Sequence, residues 1–324
     1  MVRPSKMIAA QRTLHDRLDR FESETRRASA GVEHPDCLVR GDAISFGCET
    51  VNLVALRKHP DFHCFADTWL HRKSPKEFIP YMRVARFASR NSTVKFWVYY
   101  ERQMLHLPHF RIAYYPDDQQ GLRPEDICSV LELTTKARIA RVELATDFGF
   151  KTGIDSDRVR RHFISGKSQT RSVRESFQDS WGSRHSGKFI RSYAKRQIGA
   201  HRVEIQLNGR FLRKHGIDTT FDFWKLAELL PGHHLYFAEV NEQKLIQQLR
   251  LMHMSGSRVL EVLGKVKHKK WHLCELLKYL RRDVGLKNVR RLVDPLPINA
   301  SVRAALKEWA SMWPKGPNLL GRTS

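Results

Sequence analysis

Between Leu38 and Gly209 the chain is dominated by short runs in which polar and apolar residues alternate: "LVRGDAISFG", "TVKFWVYYE", "HFRIAYYP", "ARIARVELATDF", "KFIRSYAKR" and "HRVEIQLNG". A period of two sends successive side chains to opposite faces of an extended strand, so each run can bury an apolar face only by joining a sheet. Pro, Gly, Asn and Asp punctuate the runs, as turns require. Helical stretches fall between some of them. "RPEDICSVLELTTK" opens on Pro-Glu-Asp and carries an Ile127, Val130, Leu131 stripe; "DSDRVRRHFISG" begins with acidic capping residues and ends at Gly166. Strands interleaved with helices, with hairpin-like neighbours, predict an α+β domain on a central, largely antiparallel sheet with helices on one face.

At 324 residues the chain fits two domains, or one large domain with appendages. Residues 1–36 read as a basic helical arm with Met7, Leu14, Leu18 and Phe21 on roughly one face, either an origin- or partner-contacting element or a solvated helix laid on the body. Residues 37–240 hold the strand runs. Residues 241–324 read as a basic helical region: "KVKHKKWHLCELLKYLRRDVGLKNVRRLV" places Leu273, Leu276, Leu277 and Leu280 at helical spacing with cations outside them.

Lys and Arg number 57 against 34 Asp and Glu, a formal charge of +23. Such an excess opposes compaction unless an anion offsets it, and nucleic acid is the leading partner. No apolar run approaches the ~20 residues that span a bilayer, and "MVRPSKMIAAQRTLHDRLDR" lacks a signal-peptide core, so no membrane partner and a cytoplasmic location are expected. The five cysteines are widely spaced with no CxxC, which argues against a disulfide framework or a zinc knuckle. His63 beside Cys64 reads as structural.

In "RVELATDF" one strand face carries Arg141, Glu143, Ala145 and Asp147, and the other Val142, Leu144, Thr146 and Phe148. The second face suits a core. The first, if the strand is central, must pair its charges or hold a divalent cation; at an edge it is an ordinary solvated face. Downstream, "KFIRSYAKR", a loop near "QIGA" and "HRVEIQLNG" predict a hairpin with Tyr193 within about a residue of Val203 or Glu204. Arg191, Tyr193 and Lys195 share one strand face; Arg202, Glu204 and Gln206 share one of the next.

A phenol titrates near pH 10 and attacks at neutral pH only if its proton is removed or its anion stabilised, which Arg191 and Lys195 are expected to do electrostatically. A carboxylate-held metal can polarise a scissile phosphate. Together they would nick DNA, keeping the 5′ end as phosphotyrosine and releasing a 3′ hydroxyl. Glu143 and Asp147 lie about 13 Å apart along an extended strand, so Glu143 with Glu204 is the favoured ligand pair, leaving Asp147 to ligate only if the strand bends or to partner an Arg or Lys. A tyrosine flanked by cations also serves non-catalytic nucleic-acid binders, where it stacks on a base. Tyr114 and Tyr115 are alternative nucleophiles.

At these residues the chain resembles the trans-acting replication initiation factor family of plasmid rolling-circle initiators, filamentous-phage replication proteins and related conjugative relaxases. The motifs are "RVELATD" (141–147), "GSRHSGKFIRSYAK" (182–195) and "RVE" (202–204), in the family's order and spacing. Glu143 stands where the family usually has Asp. The resemblance implies a palm-like nickase core, with Tyr193 as nucleophile, Lys195 and Arg191 stabilising the phosphate, and Glu143, Asp147 and Glu204 holding Mg2+ or Mn2+. Arg141, Arg202, Arg184 and Lys188 are the expected DNA contacts near the site; Lys265, Lys267, Lys269, Lys270, Arg281 and Arg282 are those of the helical region. The implied function is initiation of rolling-circle replication at an origin, in a bacterial cell carrying a plasmid, phage or integrative element. The rivals are a relaxase that starts conjugative transfer and a binder without catalysis. A host helicase is a further candidate partner; a homodimer is compatible with an initiator, although no heptad compels one. Histidine-based nickases are excluded, because neither "HLPHF" nor "GHHLYF" has a His-hydrophobic-His spacing and His233 and His234 read as loop residues.

Overall fold

The alternation in "RVELATDF" is realised in the middle of a ten-stranded sheet whose every strand pair is antiparallel. A computed structural model describes residues 36–71, 79–116, 121–149, 156–164, 169–173, 178–231, 234–268 and 272–314. The N-terminal arm, His233, Lys269, Lys270 and Trp271 lie outside the described residues.

The first half runs β1 (Asp36–Cys48), β2 (Thr50–Val51), α1 (Leu53–Lys58), β3 (Phe62–Trp69), β4 (Tyr81–Ser89), β5 (Lys95–Arg102), β6 (Phe110–Tyr115), α2 (Pro124–Leu131), β7 (Thr134–Thr135) and β8 (Arg138–Gly149). There follow α3 (Ser156–His162), β9 (Phe163–Ile164), β10 (Gln169–Val173), β11 (Gln178–Gly182), β12 (Lys188–Lys195), β13 (Ala200–Asn208), α4 (Gly209–Lys214), α5 (Phe223–Leu229) and β14 (Tyr236–Val240). Last come α6 (Glu242–Leu251), α7 (Gly256–Lys267), α8 (Leu273–Arg282), β15 (Val293–Pro295) and α9 (Ile298–Ser311). The main sheet has the order β10-β11-β12-β13-β8-β1-β6-β5-β4-β3. This is the expected α+β class with a largely antiparallel sheet and helices on one face.

The strands β3, β4, β10 and β11 were not legible as alternating runs. In β10, "QTRSV", only Val is apolar, and β10 forms one edge of the sheet, where a single neighbour satisfies it. A further strand, β14, is not among the alternating runs, and it pairs with the short β9 and β15.

Val142, Leu144 and Phe148 of β8, Val203, Ile205 and Leu207 of β13, and Ile44 and Phe46 of β1 are buried in one cluster. It also holds Ile127 and Val130 of α2, Leu226 of α5, and Val302, Leu306 and Trp309 of α9. Burial of each such side chain stabilises the fold by about 1.5–3 kcal/mol. Leu273, Leu276, Leu277 and Leu280 of α8 form a second cluster with α6 and α7. The region after residue 241 is therefore divided between two cores. Its last helix, α9, returns to the main sheet, where Phe223 meets Trp309 and Trp313 at ring-centroid distances of 5.1 and 4.7 Å.

Candidate active site

β8 lies between β13 and β1, so its polar face is walled on both sides. In register, Asp147 faces Arg202, Ala145 faces Glu204 and Glu143 faces Gln206 on β13. On β1, Arg40 faces Ala145 and Ala43 faces Glu143. β12 continues the face beyond β13, with Arg191 opposite Glu204, Tyr193 opposite Arg202 and Lys195 opposite Ala200. The hairpin turns through a 3-10 segment, Arg196–Ile198, into Gly199 at φ +64°, a left-handed conformation that favours glycine. This turn sets Tyr193 against Arg202, one residue before Val203.

Tyr193 reaches diagonally across the ladder, as a long aromatic side chain can. Its Oη donates a hydrogen bond to Glu204 Oε1, and Arg191 pairs with the other carboxylate oxygen, Oε2. Asp147 is held from two strands: Arg202 donates through Nε at 2.6 Å and Nη2 at 2.9 Å, and Arg40 donates from β1. Arg202, only 1% exposed, also points Nη1 at Asp42 at 3.4 Å. Asp42 is the residue skipped at the register shift between Gly41 and Ala43, a bulge that re-aims a side chain. Glu143 pairs with Arg141 two residues away on its own strand.

The electrostatics correct one expectation. Burial first, then the charge and hydrogen bond of Glu204, push the Tyr193 phenol above its ordinary value, although Arg202 and Arg191 pull it down. The cations do not make a ready phenolate because carboxylates already occupy them. Burial also raises the Asp147 carboxyl, but hydrogen bonds from Arg202 and Arg40 outweigh it and hold the group below the usual carboxylate range.

Being central, β8 meets the condition under which its charges must be paired or hold a metal. Pairing is what is seen: each of the three acids has an arginine partner. Among the described residues no three His, Cys, Asp or Glu side chains converge as a ready cage. The donor chemistry still suits a hard, magnesium-type ion, which needs only one or two carboxylates beside water and phosphate. Glu143 and Glu204 are diagonal neighbours across the ladder, about 7–8 Å apart in a regular sheet. Asp147 has both oxygens engaged by guanidinium groups and occupies the alternative place foreseen for it, as a partner to arginine.

The remaining cations differ in what they can touch. Arg184 is exposed in the turn before β12 and lies over the Phe189 ring at 5.9 Å. Arg141 is partly exposed on the site face. Lys188 and Lys195 are buried, Lys188 with Nζ 2.6 Å from His234 Nδ1. Arg202 is spent on Asp147 rather than presented to a phosphate. Lys265 bonds to Glu261 at 3.2 Å and lies over Tyr279, and Lys267 is 4.0 Å from Glu242. Arg281 and Arg282 are exposed in the last turn of α8. Of the alternative nucleophiles, Tyr114 is buried in the core with its phenol pushed well up by desolvation, and Tyr115 is on the surface of β6.

Arg40 and Asp42 were missed in the sequence. "VRGDA" has no local signal, since only the pairing of β1 with β8 brings it to the site. A polar network on the opposite face was missed too. Arg160 of α3 forms a buried bidentate pair with Asp179, and Ser192 Oγ lies 2.7 Å from His201 Nε2. Desolvation, then the Arg160 charge, lower the His201 imidazole to about 3, so it is neutral.

No family model and no curated protein matches the chain. A solved structure similar to it is the rolling circle replication initiator protein from Geobacillus stearothermophilus, 14% identical, with a TM-score of 0.39 over 71% of this chain and 97% of that one.

Proposed function

We propose that the chain is a rolling-circle replication initiator, a strand-specific DNA nicking and joining enzyme that acts through Tyr193. The observation that carries the reading is the hydrogen bond from Tyr193 Oη to Glu204 Oε1 on a polar face of a central hairpin. A phenol held above its ordinary value needs an acceptor for its proton at the moment of attack, and Glu204 is the carboxylate already bonded to it.

In this reading Tyr193 Oη attacks the scissile phosphorus as its proton passes to Glu204. The bond from phosphorus to the 3′ oxygen breaks, that oxygen leaves as a hydroxyl on taking up a proton, and the 5′ phosphate stays on the tyrosine. Reversal rejoins the strand. Arg191, ion-paired with Glu204 and two residues from Tyr193 on β12, keeps the carboxylate oriented and lends positive charge to the phosphate. Arg202 and Arg40 lock Asp147, which braces β13 against β8 and β1. A Mg2+- or Mn2+-class ion, when bound through Glu143 and Glu204, supplies polarisation of the phosphate oxygens.

Purified protein incubated with a supercoiled circle carrying its origin and Mg2+ should give a nicked circle and a covalent protein–DNA adduct on a denaturing gel. Tyr193→Phe should abolish the adduct and leave DNA binding intact. Adduct formation by Tyr193→Phe would refute the assignment. Maintenance of the circle as an autonomous replicon, as opposed to transfer alone, separates an initiator from a relaxase.

A further inference from the structure

The site face of the sheet does not end at β1. A straight row of paired residues crosses five strands from Arg141 through Ser45, Ala113 and Trp97 to Arg86. Paired residues share a face, so Trp97 lies on the same side of the sheet as Glu143 and Tyr193. Ser45 and Ala113, small residues only 2% and 3% exposed, lie between Arg141 and Trp97 in this row. Beyond them stands a group of rings. Trp97 and Tyr115 are 4.5 Å apart between centroids, and Trp97 and Tyr99 are 6.3 Å apart. Tyr115 is 41% exposed.

Cations border the rings. Arg86 lies over Trp97 at 5.6 Å, Lys95 faces Tyr115 and Arg111 faces Tyr99. Among the described residues none of these three cations is in an ion pair, in contrast to the arginines around Tyr193. Rings held by their neighbours on a sheet, edged by cations free to meet phosphate, match the two elements of single-strand recognition, bases on aromatic faces and a basic track for the backbone.

We propose that Trp97 and Tyr115, with Arg86, Lys95 and Arg111, form a stacking platform for single-stranded DNA on the face that carries Tyr193. β5 lies five strands from β12 in the sheet, about 24 Å at the usual spacing. One strand of a few nucleotides can therefore rest on the platform and extend over this face past the partly exposed Arg141 toward the tyrosine. The choice of DNA as the strand rests on the nickase reading; the stacking surface itself does not.

The test uses the full chain and dye-labelled oligo-dT of about 16 nucleotides, within single-strand site sizes, beside a duplex of equal length, read by fluorescence anisotropy. Trp97→Ala and Tyr115→Ala should each weaken oligo-dT binding about 5- to 100-fold, with duplex binding changed less than about twofold. Trp97→Phe should retain most of the affinity, which guards against misreading a folding defect; Tyr115→Ala is a surface change and carries the test if Trp97→Ala does not fold. Equal losses on single strand and duplex, no loss in either ring variant, or tighter binding of oligo-rU than oligo-dT would overturn the proposal. If Tyr193→Phe still forms the covalent adduct while the ring variants lose oligo-dT, the nickase reading falls and the platform stands; if the adduct is lost as expected while the ring variants bind normally, the reverse holds.

Discussion

Asp147 is one of three acids that could serve a metal, yet its geometry assigns it to bracing the sheet, and a double-mutant cycle with Arg202 can decide between these roles. The two side chains are 6% and 1% exposed and joined by hydrogen bonds of 2.6 and 2.9 Å. Removing one member of such a buried pair leaves an uncompensated charge and typically costs about 3–5 kcal/mol. Asp147 in Arg202→Met would keep Arg40, so about 3 kcal/mol is expected. Arg202 in Asp147→Leu would keep only Asp42 at 3.4 Å, and about 4 kcal/mol is expected. The double variant has neither charge and should cost little more than either single change, a coupling of about 2–3 kcal/mol. Urea unfolding at pH 7 measures all four proteins. Because the folded Asp147 carboxyl lies below its ordinary value of 3.8, its contribution is present above that pH and is lost as pH falls below it. The coupling should therefore persist at pH 5. Additive singles of under about 0.5 kcal/mol each would refute the bracing role. So would unchanged unfolding of Asp147→Leu joined to loss of Mg2+-dependent stabilisation.

Two further expectations follow from the same geometry. His201 is buried and neutral, with its imidazole lowered from 6.5 to about 3, so the fold loses stability as pH drops below about 6.5 because the unfolded chain takes up the proton first. Between pH 7 and pH 5 the loss should be about 2 kcal/mol in urea unfolding, and His201→Gln should remove most of that slope; an equal slope in both proteins would refute it. Arg281 and Arg282 are exposed cations in the last turn of α8. Replacing both with Ala should make the slope of log affinity for duplex DNA against log salt shallower by about 2, measured by anisotropy from low to physiological salt, and an unchanged slope would remove them from the interface.

Sequence alone determined the faces. The period of two places Arg191, Tyr193 and Lys195 together, places Arg202, Glu204 and Gln206 together, and separates Glu143 and Asp147 from Leu144 and Phe148, whatever sheet these strands enter. The Leu273, Leu276, Leu277, Leu280 stripe was likewise a local fact, set by the helical repeat, and all four are buried. Tertiary structure decided which face met which. Only the pairing of β8 with both β13 and β1 brings Arg40 and Arg202 to Asp147 and sets Asp42 beside Arg202, giving Asp147 arginine partners from strands distant in sequence. The pairing order also sets Trp97 and Tyr115 on the same surface as Tyr193, and draws α9 away from the neighbouring helices onto the main sheet. Alternation is a property of the backbone over a few residues, whereas strand order follows from how the whole chain buries its apolar faces at once, and no short stretch of sequence encodes that balance.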